Sequence, residues 1–305
     1  MTSIVIPAHN ESRVIGRLLD SLLAESSADE IDIVVVCNGC TDDTAQVAGR
    51  RGAGVRVVEI PEPSKHEALR VGDEHARGFP RLYVDADVVI AASDVRELTH
   101  SLDGSSAILA TAPEREVPLA GCAWRVRAYY QVWQRLPAVR EGLFGRGVIA
   151  VSEAGHARIA ALPPLMADDL AASLAFAPDE RLVVDTARVV VHPPRTWSDL
   201  IKRRIRAATS SAQLEHYQRQ EQGGPDKDEQ DDSGLGHETA GGTAGRPSAR
   251  TSKADLRAIL RAEPKLILGV VVFVAAAVVA RRGSRKAIRS QDFGTWLRDE
   301  SSRQG

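Results

Sequence analysis

The chain has 305 residues, with 39 Lys and Arg against 41 Asp and Glu, a formal net charge of −2 and few aromatic residues. A near-neutral balance excludes a nucleic-acid polyanion as the main partner, and the length admits one large domain with appendages. Three cysteines, Cys37, Cys40 and Cys122, make no disulfide framework and fit a reducing compartment; the Cys37/Cys40 pair has no second pair nearby for zinc and starts no helix for redox work.

In chain order, residues 3–6 read as a strand stopped by Pro7, followed by a polar loop in which Ser12 or Asn10 caps an amphipathic helix over 13–25. No charged segment precedes a long apolar core at the start, so no secretory signal is expected. Ile31 to Val36 is a continuous apolar run, a buried strand, running into the turn-forming stretch 37–42, where Asp42 or Thr41 caps a helix over 43–51. A strand over 55–60, a helix from Ser64 to about Arg77 and a strand over 82–84 complete β-α-β-α-β-α-β in about ninety residues. That order predicts a mostly parallel, doubly wound, Rossmann-like α/β sheet. Neither GxGxxG nor GxxxxGK[ST] occurs, so a nucleotide would be held by another device.

The fourth strand ends in Asp85 and Asp87. Carboxylates leaving water need a partner, and the C-terminal end of a parallel strand is where α/β sheets bind ligands. Two hard oxygen donors there suit Mg²⁺ or Mn²⁺ bridging to phosphate, although Asp is common in strand-end turns.

Further along, the pattern predicts a helix over 94–102, a strand over 106–111, one aromatic-striped helix over 119–136, a glycine-bearing loop over 142–147 and a strand over 148–151. It continues with helices over 154–162 and 170–176, strands over 182–184 and 187–191, and a basic amphipathic helix over about 197–220. His192, at a strand end, reads as structural. Residues 221–253 have the composition of a disordered linker. Leu266–Ala280 is the only long apolar run, at fifteen residues short of the ~20 that span a bilayer, with basic residues at both ends. A short spanning helix, an in-plane anchor and a hairpin with another subunit all stay open; basic flanks favour attachment to the cytoplasmic face of a membrane. The predicted organisation is a catalytic region over 1–220 with halves 1–92 and 93–220, the linker 221–253, and a hydrophobic helix and basic tail over 254–305.

Several motifs together resemble the family-2 glycosyltransferases of the GT-A type, over about residues 2–210. Ile4 to Glu11 is similar to that family's opening strand and loop, and Val35 to Thr44 to its second nucleotide loop, with Cys37-Asn38 in place of two acids. Lys65 to Gly72 resembles its Lys-x-x-Ala-Leu-Asn-x-Gly segment, Asp85-Ala-Asp87 its metal motif, Asp168-Asp169 its Glu-Asp pair, and Arg203 to Arg206 its basic element. Ala207 replaces a Trp there, which speaks against processive polymer synthesis.

The resemblance implies an inverting, metal-dependent transfer of a sugar from a nucleotide-diphosphate donor, a UDP-sugar foremost, to a hydroxyl acceptor that is lipid-linked or a cell-envelope glycan. It implies Pro7, Ala8, His9, Glu11, Asn38, Gly39 and Asp42 in nucleotide loops, Lys65, Asp168, Arg203 and Arg206 at the donor, Asp85 and Asp87 on Mn²⁺ or Mg²⁺ (Asp85 also on the ribose), and Asp169 as catalytic base. For Asp169 the competing reading is a helix N-cap; for Lys65, Arg203 and Arg206 it is a solvated basic face. Two other functions are weighed: a sugar-1-phosphate nucleotidyltransferase, which should carry a glycine-rich basic loop after the first strand, and a non-catalytic membrane scaffold, against which the intact Asp85, Asp87 and Asp169 speak.

Overall fold

The computed structural model describes the chain except residues 28, 105–106, 163–167, 222–250, 290–300 and 304–305. Nearly all of the predicted linker, the approach to Asp168 and part of the basic tail therefore lie outside the described residues.

The first half follows the apolar runs. β1 (Thr2–Ala8), β2 (Ile31–Asn38), β3 (Val55–Ile60) and β4 (Arg81–Val84) pair in parallel in the order β3-β2-β1-β4. β2 is buried at every position because both of its faces are covered. Ile33 and Val35 face a core with Leu18, Leu19 and Leu22 of α1 (Ile15–Leu23), while Val34 and Val36 face Ala68 and Val71 of α3 (Lys65–His75). Each such large aliphatic side chain contributes roughly 1.5–3 kcal/mol on burial. α3 lies so close to β1 that a Cβ on Gly72 would meet Val5 Cγ1 at 2.3 Å.

Helix starts were partly as expected. Ser64 caps α3 by accepting from the Glu67 amide, whereas neither Ser12 nor Asn10 caps α1, whose N-cap is Val14 without a side-chain bond. Asn10 instead accepts from the Thr41 amide at 2.7 Å, in a left-handed conformation with φ 52°. The N-cap of α2 (Thr44–Gly49) is Asp43 without a side-chain bond, not the expected Asp42 or Thr41, although Asp42 accepts from the Thr44 amide at 3.1 Å.

The second half continues the same sheet, β4-β7-β6-β8-β5, with mixed direction. β7 (Val148–Val151) is antiparallel to both β4 and β6 (Ala110–Glu116), β6 is parallel to β8 (Arg181–Val191), and the short β5 (Val88–Val89) is antiparallel to β8. Three expectations are corrected here. The strand expected at 106–111 lies at 110–116 and includes Pro113 and three charged residues, held by pairing with β8. The two strands expected at 182–184 and 187–191 are one strand, β8, with an irregular register opposite Pro113 and Glu114. The aromatic-striped helix is shorter, α5 (Trp124–Trp133), and a further short helix, α6 (Pro137–Glu141), lies between it and the glycine-bearing loop. α4 (Ala92–Asp103), α7 (Glu153–Ala160) and α8 (Asp168–Leu174) complete this half.

α9 (Trp197–Glu221), α10 (Lys253–Ala262) and α11 (Ile267–Arg289) form a helical layer with α5. Val272, Phe273 and Ala276 of α11 join Tyr129, Tyr130 and Val132 of α5 in one buried cluster, with Phe273 stacked on Tyr129 at 5.1 Å. Gly269 sits over the Ala128 carbonyl and Gly283 over Ile205, so both ends of α11 approach their neighbours closely. Its opposite side is exposed and apolar, with Ile267 63% and Val271 60% accessible, joined by Leu268, Val274 and Val278. The stretch Pro264–Ile288 is long and apolar enough to cross a membrane.

Candidate active site

The site forms where the C-terminal ends of the parallel strands meet the turn into β7. Pro7 and Ala8 end β1, and Asn38 ends β2. The two loops are laced together: Asn38 Nδ2 donates to the Ala8 carbonyl at 2.9 Å, and His9 Nδ1 to the Asn38 carbonyl at 2.6 Å. Asp42 accepts from the Ser12 amide at 3.2 Å, and the Glu11 amide donates to Thr44 Oγ1 at 2.8 Å. Gly39 has φ 56° and lies so near Pro63 that any Cβ would strike its backbone nitrogen at 2.7 Å, so the Asn-Gly turn is required by both conformation and space. Asn38 Oδ1 is buried and, among the described residues, has no hydrogen-bond partner.

Cys40 Sγ accepts from the Asn10 amide and donates to the Ala8 carbonyl, both at 3.4 Å. A hydrogen bond from Cys37 draws the Cys40 thiol down to about 6, while the same bond, with burial, pushes the Cys37 thiol up.

Asp85 and Asp87 leave β4 as expected, and each faces a cation. Lys65 Nζ, at the first turn of α3, is 2.7 Å from Asp85 Oδ1. Arg303 Nη2 is 3.3 Å from Asp87 Oδ2, and Arg17 Nη2 donates to the Asp87 carbonyl at 3.2 Å. Arg206 stands close enough that Asp87 and Asp85 work to raise its pKa, although burial first and then Arg203 hold it below the usual range. Arg203 reaches the His192 carbonyl at 3.4 Å. The antiparallel register of Val88 on Val191 carries His192 opposite Asp87, and burial keeps that imidazole toward its neutral form. Burial also lowers Arg17, with Asp87 opposing.

Two glycines connect these acids to Asp169. The Asp85 amide donates to the Gly147 carbonyl at 2.8 Å, and the Gly145 amide donates to Asp169 Oδ2 at 2.9 Å. Both glycines are left-handed, with φ 67° and 69°, and a Cβ on Gly147 would meet Val88 Cγ1 at 2.5 Å and Asp85 Oδ2 at 3.3 Å. Between them Arg146 points inward and is fully buried. Its guanidinium donates to the carbonyls of Gly142, Pro113 and Arg140 and reaches Glu114 at 3.3 Å. Beside it Arg115 lies over Trp133 and is pushed down to about 9 by burial and by Arg146. Asp168 is the first residue of α8; its side chain is outside the described part. Asp169, the second residue, accepts from the Leu170 amide at 2.7 Å.

The predicted residues of the two nucleotide loops, Lys65, Asp85, Asp87, Arg203 and Arg206 thus gather at one end of the sheet, and Asp169 is joined to them through residues 145–147. Sequence reasoning passed over Arg17, Arg146, Gly147 and Arg303. The left-handed glycines had a signal, since Gly-Arg-Gly next to an apolar strand marks unusual backbone. The three arginines had none, because only tertiary placement distinguishes them from surface cations.

Among the described residues no group of three His, Cys, Asp and Glu side chains is placed to enclose a metal. The pair Asp85 and Asp87 nevertheless fits a Mg²⁺ or Mn²⁺ ion of the kind bound by one or two carboxylates with substrate phosphates completing the shell. The crowd of Lys and Arg around these acids matches the phosphates rather than a protein cage.

Comparison with known proteins bears on the fold and the family. Residues 3–150 match the model of the family described as glycosyl transferase family 2. A 4,4'-diaponeurosporenoate glycosyltransferase of Staphylococcus aureus is 33% identical over 120 residues, covering 36% of this chain and 31% of the relative, so the chain spans about a third of the length of the curated relatives it matches. Two solved structures share the fold. One is the mannosyltransferase PcManGT of Pyrobaculum calidifontis in complex with GDP-Man and Mn²⁺ (19% identity, TM-score 0.57, 98% of this chain and 81% of that one). The other is the glucosyl-3-phosphoglycerate synthase of Mycobacterium tuberculosis in complex with Mn²⁺, UDP-glucose and phosphoglyceric acid (22% identity, TM-score 0.51, 74% and 81%).

Proposed function

We propose that this chain, which carries a glycosyl transferase family 2 region over residues 3–150, transfers a sugar from a nucleotide-diphosphate donor, a UDP-sugar foremost, to a hydroxyl acceptor with inversion at the anomeric carbon. The observation that carries the reading is the juxtaposition of Asp85 and Asp87 with Asp169 through Gly145 to Gly147. One end of that loop touches acids suited to a phosphate-bound cation; the other touches an acid able to take a proton.

Asn38 and the residues around it would receive the base, with the buried Oδ1 accepting from an N–H such as that of uracil. Asp85 and Asp87 would hold Mn²⁺ or Mg²⁺, which supplies Lewis-acid neutralisation of a leaving diphosphate. Lys65 and Arg206 add fixed positive charge at the same point, with Arg203 behind them. Asp169 would take the proton of the acceptor hydroxyl, its orientation set by the Gly145 amide. Direct attack by that hydroxyl opposite the leaving group, with no covalent step on the protein, would give inversion.

Our reading of the acceptor class rests on α11. Its packed side fixes the helix along the protein, and its apolar outer stripe, with Lys265 before it and Arg281, Arg282 and Arg285 after it, suits the plane of an anionic bilayer. A membrane surface beside the second half supports a lipid-linked or envelope-glycan acceptor on the cytoplasmic side.

The test is product analysis. Incubation with a panel of UDP- and GDP-sugars and Mn²⁺ should release the nucleoside diphosphate, and Asp87→Ala should abolish release. Release of pyrophosphate in a parallel incubation with UTP or GTP and a sugar 1-phosphate would point to nucleotidyl transfer, and no turnover of any donor would sink the enzyme reading. Proton NMR of the glycoside decides inversion against retention. Flotation with anionic vesicles tests the membrane contact: Val271→Glu in the stripe should leave the protein at the bottom of the gradient.

A further inference from the structure

The last described turn, Ser301–Arg303, returns to the acids beyond β4. Arg303 Nε donates to Glu11 Oε2 at 2.8 Å and Nη2 to Oε1 at 2.9 Å, a two-point fork. The same Nη2 lies 3.3 Å from Asp87 Oδ2. The fork is largely out of water, with the Arg303 and Glu11 side chains 13% and 10% exposed. The turn is held independently: Ser301 Oγ accepts from the Arg195 amide at 2.9 Å, and both Ser301 and Ser302 are buried.

We propose that Arg303 is a phosphate-binding residue that this C-terminal turn supplies to the donor site, with Glu11 as its positioning residue. The inference rests on the nucleotide-sugar reading above. Three acids, Glu11, Asp85 and Asp87, face Lys65 from α3, Arg17 from α1, Arg206 from α9 and Arg303 from the turn. Among the described residues, those four cations converge on these three acids, an arrangement that suits an added anion once a cation occupies the acids. Glu11 spends two bonds on Arg303 and fixes its plane, so the contact with Asp87 is the longest of the three and the one an anion can replace. A diphosphate brought to Asp87 comes within reach of that nitrogen, and a planar guanidinium suits phosphate oxygens. Because Glu11 keeps its grip, Arg303 stays in place when Asp87 turns to a cation.

The experiment is titration calorimetry of the full chain with UDP in the presence of Mn²⁺, read as binding. Arg303→Ala should weaken UDP about tenfold or more, from the loss of a charge-assisted bond. Arg303→Lys should recover part of that affinity, and Glu11→Gln should fall between. Thermal melts of the same variants report what stranding the buried Glu11 carboxylate costs, and affinities are compared at a temperature where every variant is folded, which separates this loss from unfolding. Unchanged UDP affinity in Arg303→Ala overturns the proposal. So does tighter binding, which would make the turn a competitor of the donor. A parent chain that binds neither UDP nor GDP with Mn²⁺ overturns the donor reading first, and this inference with it.

Discussion

The two sets of acids at this site are held in opposite ways. Asp85 and Asp87 answer to side chains, Lys65 and Arg303, on elements far away in sequence. Asp169 answers to backbone, the amides of Gly145 and Leu170. Side-chain partners can turn to an arriving anion when a cation takes the acids. Backbone amides cannot, so the bonds from Gly145 and Leu170 hold the Asp169 carboxylate whatever binds beside it. The first pair is built for exchange of partners, the second for constancy of aim.

Four substitutions break or sharpen this contrast. The largest effect belongs to Asp169→Asn, which keeps the shape but not the basicity: kcat should fall about 10²–10⁴-fold with UDP–Mn²⁺ affinity unchanged, by steady-state kinetics beside calorimetry. An equal fall in both would place Asp169 with the donor acids. Next, Arg146→Ala deprives several buried carbonyls of their donor and should cost about 3 kcal/mol, read from denaturant unfolding. Gly147→Ala comes third: its methyl meets Val88 in a left-handed backbone, a strain of about 2 kcal/mol, and it crowds Asp85, so melting temperature and Mn²⁺ affinity should fall together. The smallest is Lys65→Ala. Its ion pair with Asp85 is about a third exposed on both sides, so stability should change by less than about 1 kcal/mol, while UDP affinity drops. A large stability loss there would mean that side-chain partners frame the site as rigidly as backbone does.

The same contrast explains what could be read from sequence. The donor half was legible because buried parallel strands announce themselves as unbroken apolar runs, and because Asn38-Gly39 and Ser64 carry local turn and cap chemistry. In the second half β6 hides behind Pro113, Glu114 and Arg115, residues of poor strand propensity held by β8 some seventy positions later. Arg146 reads as a surface cation and is fully buried. The motif residues on β1, β2 and β4 were placed correctly at one sheet end, since a strand fixes where its last residue points. Arg303 lies 216 positions from Asp87, and no local pattern joins them.

The thiols beside the nucleotide loops carry a practical consequence. Cys40 is half-buried while Cys37 and Cys122 are buried, and the hydrogen bond from Cys37 makes it the more acidic thiol of the pair. A mercurial or cadmium ion should therefore settle on this sulfur in preference to the buried Cys37 and Cys122. That places a heavy scatterer at the rim of the proposed nucleotide site, a foothold for anomalous phasing and a marker by which bound nucleotide can be sought in difference maps.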